Sequence, residues 1–193
     1  AELWNPVTGK TYGVEAGPDG SIRLDLDRLE SVFVVLRKRT TSAYVSSTVE
    51  TCGVDKSWEV DFAESAGNRP FTRTFKTLQD WAGSEDPEVR FYSGKATYTN
   101  TFTIGASFAK EAKVTLDLGE VIALATVKVN GKDVGGVWTF PYRLDISGLV
   151  DTRKNTLEVT VYNNWRNRLI ADEKLPEEER KTWTNNQPYE AGD

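Results

Sequence analysis

Aromatic side chains stand beside amide and guanidinium groups in three parts of the sequence. Flat apolar rings stack on the C–H faces of sugar rings, while amides and guanidinium groups bind sugar hydroxyls. The residues that combine these properties are, in chain order, Trp138, Tyr142, Trp165, Arg166, Arg168, Trp183 and Tyr189. Their chemistry predicts a surface that can bind carbohydrate.

The same residues also have a structural interpretation. Trp165 can anchor the C-terminal segment while Arg166 and Arg168 hydrogen-bond to exposed carbonyl groups. Trp183 and Tyr189 can equally pack against another domain. Both interpretations stay open at this point, because a ring that stacks on sugar and a ring that packs on protein have the same sequence.

The acidic residues do not single out a catalytic pair. Cleavage of a glycosidic bond requires two carboxyl groups held about 5–10 Å apart across that bond. Glu177-Glu178-Glu179 is typical of a solvated helix face, and Asp172-Glu173 lies in a charged tail. Asp25 and Asp27 alternate outward along a predicted strand. The chain also has no His to serve as a base or metal ligand, so we expect ligand recognition without catalysis.

The composition of the 193 residues excludes several classes of protein. The 24 basic and 29 acidic side chains give a net charge of −5 without a basic block, which argues against a nucleic acid partner. No segment is long and apolar enough to cross a membrane, and the first residues lack the pattern of a signal peptide. Cys52 is the only cysteine, which excludes an internal disulfide and a cysteine-built zinc site. We expect a soluble monomer and, because the chain has no Met, a processed or excised piece of a longer protein.

Short runs of alternating apolar and polar residues, bounded by Gly, Pro, Asn and Asp, predict an all-β chain. The predicted strands are residues 21–27, 31–37, 43–50, 57–62, 70–75, 95–104, 112–118, 121–129, 132–134, 143–146 and 156–162. Residues 78–88 predict a loop, and Asn130-Gly131 predicts a type I′ hairpin turn. We therefore expect a two-sheet sandwich or jelly roll over residues 1–163, followed by a partly helical extension over residues 164–193.

Three stretches of the sequence resemble a known family. They are Tyr92-Ser-Gly-Lys-Ala-Thr-Tyr98 with Phe102; Leu116-Asp-Leu-Gly-Glu-Val121 through Val127-Lys-Val-Asn-Gly-Lys132 to Phe140-Pro-Tyr142; and Asn164-Trp-Arg-Asn-Arg-Leu-Ile170 with Trp183-Thr-Asn185. They are similar to the jelly-roll, galactose-binding-like domains attached to family 2 glycoside hydrolases. The third stretch resembles most closely the C-terminal module of bacterial α-L-rhamnosidases of family 106.

The resemblance implies a non-catalytic carbohydrate-binding module of a multidomain glycoside hydrolase. Catalysis in such enzymes belongs to carboxylates of a separate barrel domain, so no catalytic residue is carried over to this chain. The alternative is a structural domain that supports that barrel without binding sugar. The resemblance also implies an extracellular or periplasmic location. Modules of this kind often hold a structural calcium, but no ligand spacing here allows its ligands to be named.

Overall fold

The computed structural model describes residues 1–26, 28–36, 51–65, 67–106 and 113–184. The described part of the chain belongs to two compact units, Ala1–Thr51 and Cys52–Asp193. No change of composition in the sequence indicates this boundary. The predicted division after residue 163 is a different one, and it stays a prediction. None of the helices in the described ranges is long and apolar enough to span a membrane.

The first unit contains a small antiparallel sheet with the strand order β2-β1-β3. Its strands are β1 (Glu2–Trp4), β2 (Thr11–Gly13) and β3 (Phe33–Val35). The strand predicted over residues 21–27 is wrong for its described part, because residues 21–26 are not in a strand and pair with none of the described strands. Leu24 and Leu26 are exposed, so their alternation does not mark a buried face. The strand predicted over residues 43–50 lies outside the described residues.

The second unit contains two antiparallel sheets among its described residues. The large sheet has the strand order β5-β4-β6-β11-β8-β9, and the small sheet pairs β10 with β7. The strands are β4 (Trp58–Phe62), β5 (Phe71–Phe75), β6 (Lys95–Phe102), β7 (Thr115–Asp117), β8 (Leu124–Val129), β9 (Lys132–Val137), β10 (Arg143–Asp145) and β11 (Asn155–Tyr162). The helical elements within the described ranges include a 3-10 turn (Trp81–Gly83), α1 (Pro87–Arg90), α2 (Arg166–Glu173) and a second 3-10 turn (Glu177–Glu179).

Alternation along the strands creates one apolar core between these sheets. Every second residue of the central strands is buried, because successive side chains of a strand point to opposite faces. Leu116 and Leu144, the middle residues of β7 and β10, pack against this buried cluster from the small sheet. The predicted all-β sandwich with a short helical tail is therefore confirmed.

The hairpin predicted at Asn130-Gly131 is confirmed. Both residues have positive φ, 51° and 75°, as a type I′ turn requires. The Asn130 side chain also links the turn to β11 and to the loop that precedes β11. Its Oδ1 accepts from the Thr156 amide at 2.8 Å, and its Nδ2 donates to the Leu149 carbonyl at 2.8 Å. An amide at this position therefore both allows the turn and ties it to the sandwich.

The predicted loop over residues 78–88 is also confirmed, and it contains the first 3-10 turn and the start of α1. Trp81 is buried and donates its indole hydrogen to the Tyr98 hydroxyl at 2.5 Å. Burial raises the pKa of Tyr98 to about 12, so this hydroxyl stays protonated at neutral pH. The aromatic residue of the loop, Trp81, thus closes one side of the core.

The segment Tyr92-Ser93-Gly94 connects the sheet to α2. Asn163 accepts from the Gly94 amide at 2.7 Å and donates to the Tyr92 carbonyl at 3.0 Å. The Arg168 amide donates to the Ser93 hydroxyl at 3.0 Å. These bonds fix the start of β6, the end of β11 and the first turn of α2 to one another.

A buried ion pair holds the tail onto α2. Arg168 Nη2 lies 2.7 Å from Asp172 Oδ1, and both side chains are almost completely buried. The amide and hydroxyl of Thr182 donate to Asp172 Oδ2 at 2.8 Å and 2.6 Å. We call this group of Arg168, Asp172 and Thr182 the tail latch. It fixes residue 182 beside a helix that lies ten residues earlier in the chain.

The pKa of Asp172 is lowered from its ordinary value. Burial opposes ionisation, but hydrogen bonds from Thr182 and from the Lys181 backbone, together with the Arg168 charge, outweigh it. Because folding lowers this pKa, ionised Asp172 stabilises the folded state at every pH above its ordinary value of 3.8. That stabilisation is lost as the pH falls through the lowered value.

We expect Gly94→Ala to destabilise the second unit by about 2–3 kcal/mol, through strain at a left-handed residue and steric overlap. Gly94 has φ +151°, and an added Cβ would lie 2.7 Å from the Ser65 hydroxyl and 2.9 Å from that of Tyr92. Thermal denaturation followed by circular dichroism should show a melting temperature lower by about 5 °C or more. Gly83→Ala, at an open position with negative φ, is the control and should melt like the wild type. Equal melting of both variants would contradict the assigned role of Gly94.

We expect Asp172→Asn to open the tail latch and to destabilise the fold by about 3 kcal/mol, since Arg168 would stay buried without its counter-charge. Limited trypsin digestion should then cut faster after Lys174, Arg180 or Lys181. In the wild type, the same acceleration should appear on acidification below about pH 4, measured with an acid-active protease.

The control for the latch is Asp117→Asn. Asp117 pairs with Arg143 at 2.7 Å, but both side chains are more than two-fifths exposed. Its loss should cost at most about 1 kcal/mol and leave the tail resistant to trypsin. If the two variants were cleaved at the same rate, the tail would not depend on the latch.

Candidate functional site

Trp138 is the most exposed aromatic residue of the loop between β9 and β10. It directly follows Val137, which is buried, so alternation turns the Trp138 side chain away from the core. The indole is 76% exposed. A large ring in this position is available to a ligand or to another protein surface.

The rest of this loop is held in place by its own contacts. The rings of Phe140 and Tyr142 lie 4.6 Å apart at an angle of 49°. The Tyr142 carbonyl accepts from the Leu118 amide at 2.9 Å, and Tyr142 packs against the core. The predicted residue Tyr142 is therefore half-buried and supports the loop, whereas Trp138 is presented by it.

An ion pair between β10 and β7 fixes the end of this loop. Arg143, the first residue of β10, donates from Nε to Asp117 Oδ2 of β7 at 2.7 Å. Burial opposes ionisation of Asp117, but the hydrogen bond from Arg143, a backbone bond from Gly119 and the Arg143 charge together lower its pKa. The pair is half-exposed and contributes more to positioning than to stability.

Trp165 and Arg166 lie at the start of α2. Trp165 is the residue that precedes the first turn, and its side chain is 55% exposed. The Asn164 side chain, one residue before the N-cap Trp165, accepts from the amide of Arg166, the first residue of α2, at 3.1 Å. An exposed indole here has an amide and a guanidinium group as chain neighbours.

Arg168, Trp183 and Tyr189 have different positions. Arg168 is buried in the tail latch, where its guanidinium group pairs with the Asp172 carboxylate. Trp183 follows the latch residue Thr182 and is 82% exposed. Tyr189 lies outside the described residues. The assignment of all three to a sugar site stays a prediction.

Strand register brings Trp138 and Trp165 to the same end of the large sheet. Val137 of β9 pairs with Ala125 of β8, and Ala125 pairs with Val161 of β11. Trp138 and Tyr162 are therefore the next residues at this end, on strands about 10 Å apart at the usual spacing. Trp165 follows Tyr162 by three residues. Residues 27 positions apart in the chain thus lie toward the same end of the large sheet.

The sequence interpretation missed a depression on the outer face of the large sheet, with a volume of about 270 Å³. It is lined by Lys95, Thr97, Thr126, Val127, Lys128, Asp133, Glu158, Thr160 and Tyr162. The sequence predicted residues 95–104 only as a strand, and its alternating threonines were not assigned to a site. Knowing which strands are neighbours is needed before those hydroxyl groups can be placed together.

Within the described ranges, no group of three or more Asp, Glu, His or Cys side chains is arranged to hold a metal ion. A calcium site therefore stays a prediction without named ligands. Cys52 is exposed.

Comparisons with known proteins agree with this architecture. The sequence profile of the family described as glycosyl hydrolase 2 galactose-binding domain-like matches residues 73–192. The chain is 37% identical to the rhamnosidase of Novosphingobium sp. PP1Y. The two structures match with a TM-score of 0.78 over all of this chain and 19% of the rhamnosidase chain.

A curated relative is the "Putative beta-glucuronidase" of Formosa agariphila. It is 38% identical over 142 residues, which are 73% of this chain and 12% of that protein. The chain thus spans between about one-eighth and one-fifth of the length of these relatives. The family profile, in contrast, covers more than half of the chain. This chain belongs to the glycosyl hydrolase 2 galactose-binding domain-like family.

Proposed function

We propose that this chain is a non-catalytic, carbohydrate-binding domain of a larger glycoside hydrolase. The observation that carries the proposal is the presence of two exposed tryptophans, Trp138 and Trp165, at one end of the large sheet in a chain of this family. Each indole offers an apolar face to a sugar ring, and Asn164 and Arg166 add polar groups beside one of them.

Rigid support of these rings favours ligand binding. Trp138 is presented by a loop that is tied down by the Phe140–Tyr142 contact and by the Arg143–Asp117 pair. Trp165 lies between Asn163, which donates to the Tyr92 carbonyl, and Arg168, whose amide donates to the Ser93 hydroxyl. A binding residue whose neighbouring backbone is already ordered loses less conformational entropy when it binds, which raises affinity.

Catalysis is assigned to another part of the parent protein. This chain corresponds to 19% of the matched rhamnosidase, which leaves most of that protein for a hydrolytic domain. Of the acidic residues considered in the sequence, Asp172 forms an ion pair with Arg168 and accepts a hydrogen bond from Thr182. Glu177, Glu178 and Glu179 form an exposed 3-10 turn instead of facing a second carboxylate across a cleft.

The partners in this proposal are a glycan and the catalytic domain of the same parent. The names of the two relatives, a rhamnosidase and a beta-glucuronidase, point to glycans that contain rhamnose or glucuronic acid. Their degradation would place the parent protein outside the cytoplasm, either extracellular or periplasmic. We expect the isolated domain to be monomeric.

A second candidate function is to support the catalytic domain by direct packing. Ile122 and Leu124 are exposed at the same end of the large sheet as the two tryptophans. Leu124 pairs with Tyr162, so apolar groups are continuous from β8 to β11. Apolar groups clustered in this way also suit a contact between domains.

To separate the two functions, the purified chain would be titrated with oligosaccharides containing rhamnose, galactose, xylose, glucose or glucuronic acid. Tryptophan fluorescence and calorimetry would be recorded with and without calcium. We expect saturable binding of at least one glycan, and at least about tenfold weaker binding by Trp138→Ala or Trp165→Ala.

The control variant is Leu78→Ala. Leu78 is also an exposed apolar residue, but it follows β5 near the opposite end of the large sheet, where Phe75 pairs with Trp58. It should bind like the wild type. Absence of any glycan response in the presence of calcium would contradict sugar recognition and favour the supporting role.

A further inference from the structure

The outer face of the large sheet carries a row of hydroxyl groups at the bottom of the depression. Thr97 of β6 pairs with Thr160 of β11, and Thr160 pairs with Thr126 of β8. The hydroxyls of Thr97 and Thr160 lie 3.2 Å apart. Because paired residues of neighbouring strands point to the same face, the three side chains form a straight row across the strands.

The row is open at its β9 end. Gly136 pairs with Thr126 and contributes no side chain. A Cβ at this position would lie 2.9 Å from the Ala125 carbonyl oxygen, so the close approach of β8 and β9 requires glycine. A ligand that lies along the threonine row can therefore extend past β9 into solvent at the edge of the sheet.

The two sides of the row differ in chemistry. On one side Tyr162 pairs with Lys95, and its ring is 38% exposed. On the other side Lys128 lies 3.3 Å from Glu158. A ligand in the depression would thus contact the Tyr162 ring and Lys95 along one side and the Lys128–Glu158 pair along the other.

The charges of the depression balance. Its described lining residues include two lysines, Lys95 and Lys128, and two carboxylates, Asp133 and Glu158. A site with no net charge gives no electrostatic attraction to a polyanion such as a phosphate ester or a polyuronate. Hydroxyls, one ring and balanced charges together match a neutral, polyhydroxylated ligand.

We propose that this depression binds a neutral oligosaccharide that runs across the strands from β6 to β9. The proposal rests on the proposed function, because it assigns the same class of ligand to a second group of residues. The distance across these strands is about 14 Å at the usual spacing, enough for several ligand groups to contact the threonine row. Tyr162 connects the row to the end of the sheet where Trp138 and Trp165 lie.

The test uses the double variant Thr126→Val/Thr160→Val in the full chain. Valine keeps the branched shape and the strand preference of threonine, so the sheet is preserved while two hydroxyls are lost. The probes are neutral oligosaccharides of rhamnose, galactose, xylose or glucose, and an oligogalacturonate as the charged comparison. Calorimetry should show binding of a neutral probe to the wild type and at least about tenfold weaker binding to the double variant.

The control is Thr156→Val, which removes an outward hydroxyl from the same strand outside the depression. It should bind like the wild type, and all three proteins should have equal melting temperatures. In a parallel NMR titration, the amide signals of Thr97, Thr126 and Thr160 should shift on addition of the neutral probe.

The remaining outcomes overturn the inference in distinguishable ways. Unchanged binding by the double variant, with binding lost in Trp138→Ala, would overturn the depression site and leave the proposed function in place. Preference for the oligogalacturonate would overturn the assignment to a neutral ligand. If the wild type bound no probe at all, the proposed function would fail and this inference with it.

Discussion

The side-chain amide of Asn163 is the interaction on which the arrangement of the second unit depends. It accepts from the Gly94 amide and donates to the Tyr92 carbonyl, so it satisfies two backbone groups where β6 begins and β11 ends. Buried backbone groups without partners cost free energy comparable to a lost hydrogen bond. A single side chain therefore fixes the central strand pair and sets the point from which α2 and Trp165 extend.

The same junction explains why the segment from Tyr92 to Gly94 has its sequence. Tyr92 is fully buried, and its hydroxyl lies 2.9 Å and 2.8 Å from the carbonyl oxygens of Ala63 and Lys95. Ser65 donates to the carbonyl of Ser93, whose own hydroxyl accepts from the first turn of α2. The space that remains beside Ser65 and Tyr92 accommodates only a glycine. Structure, not ligand contact, accounts for these residue types.

Most of the sandwich could be predicted because its signals are local. The alternation in residues 57–62, 70–75 and 156–162 depends on one buried face, and the strands Trp58–Phe62, Phe71–Phe75 and Asn155–Tyr162 lie there. The Asn130-Gly131 turn depends on two positive φ angles that these residues adopt easily. In contrast, residues 21–26 alternate but pair with no strand in the part of the chain that the structure describes, and the boundary at Thr51 has no local signature.

The candidate site was less predictable because it depends on register. Sequence chemistry identified Trp138 and Trp165 separately, but only the pairing of β9, β8 and β11 brings them to one end of the sheet. Arg168 could be named as a hydrogen-bonding residue, yet its guanidinium group is used by Asp172 inside the fold. The threonine row was invisible for the same reason: its members come from three strands that are distant in the chain.

The irregular pairing of β9 has a consequence for how the domain behaves at high concentration. β9 lies at an edge of the large sheet, where unpaired backbone groups could template the addition of a strand from another molecule. Its register shifts opposite Val127 and Lys128, and the Asp133 side chain accepts from the Gly135 amide at 2.8 Å. A bulged strand that begins with two charged residues, Lys132 and Asp133, is a poor template for such addition. The domain can therefore expose a tryptophan at this edge while resisting growth into fibres.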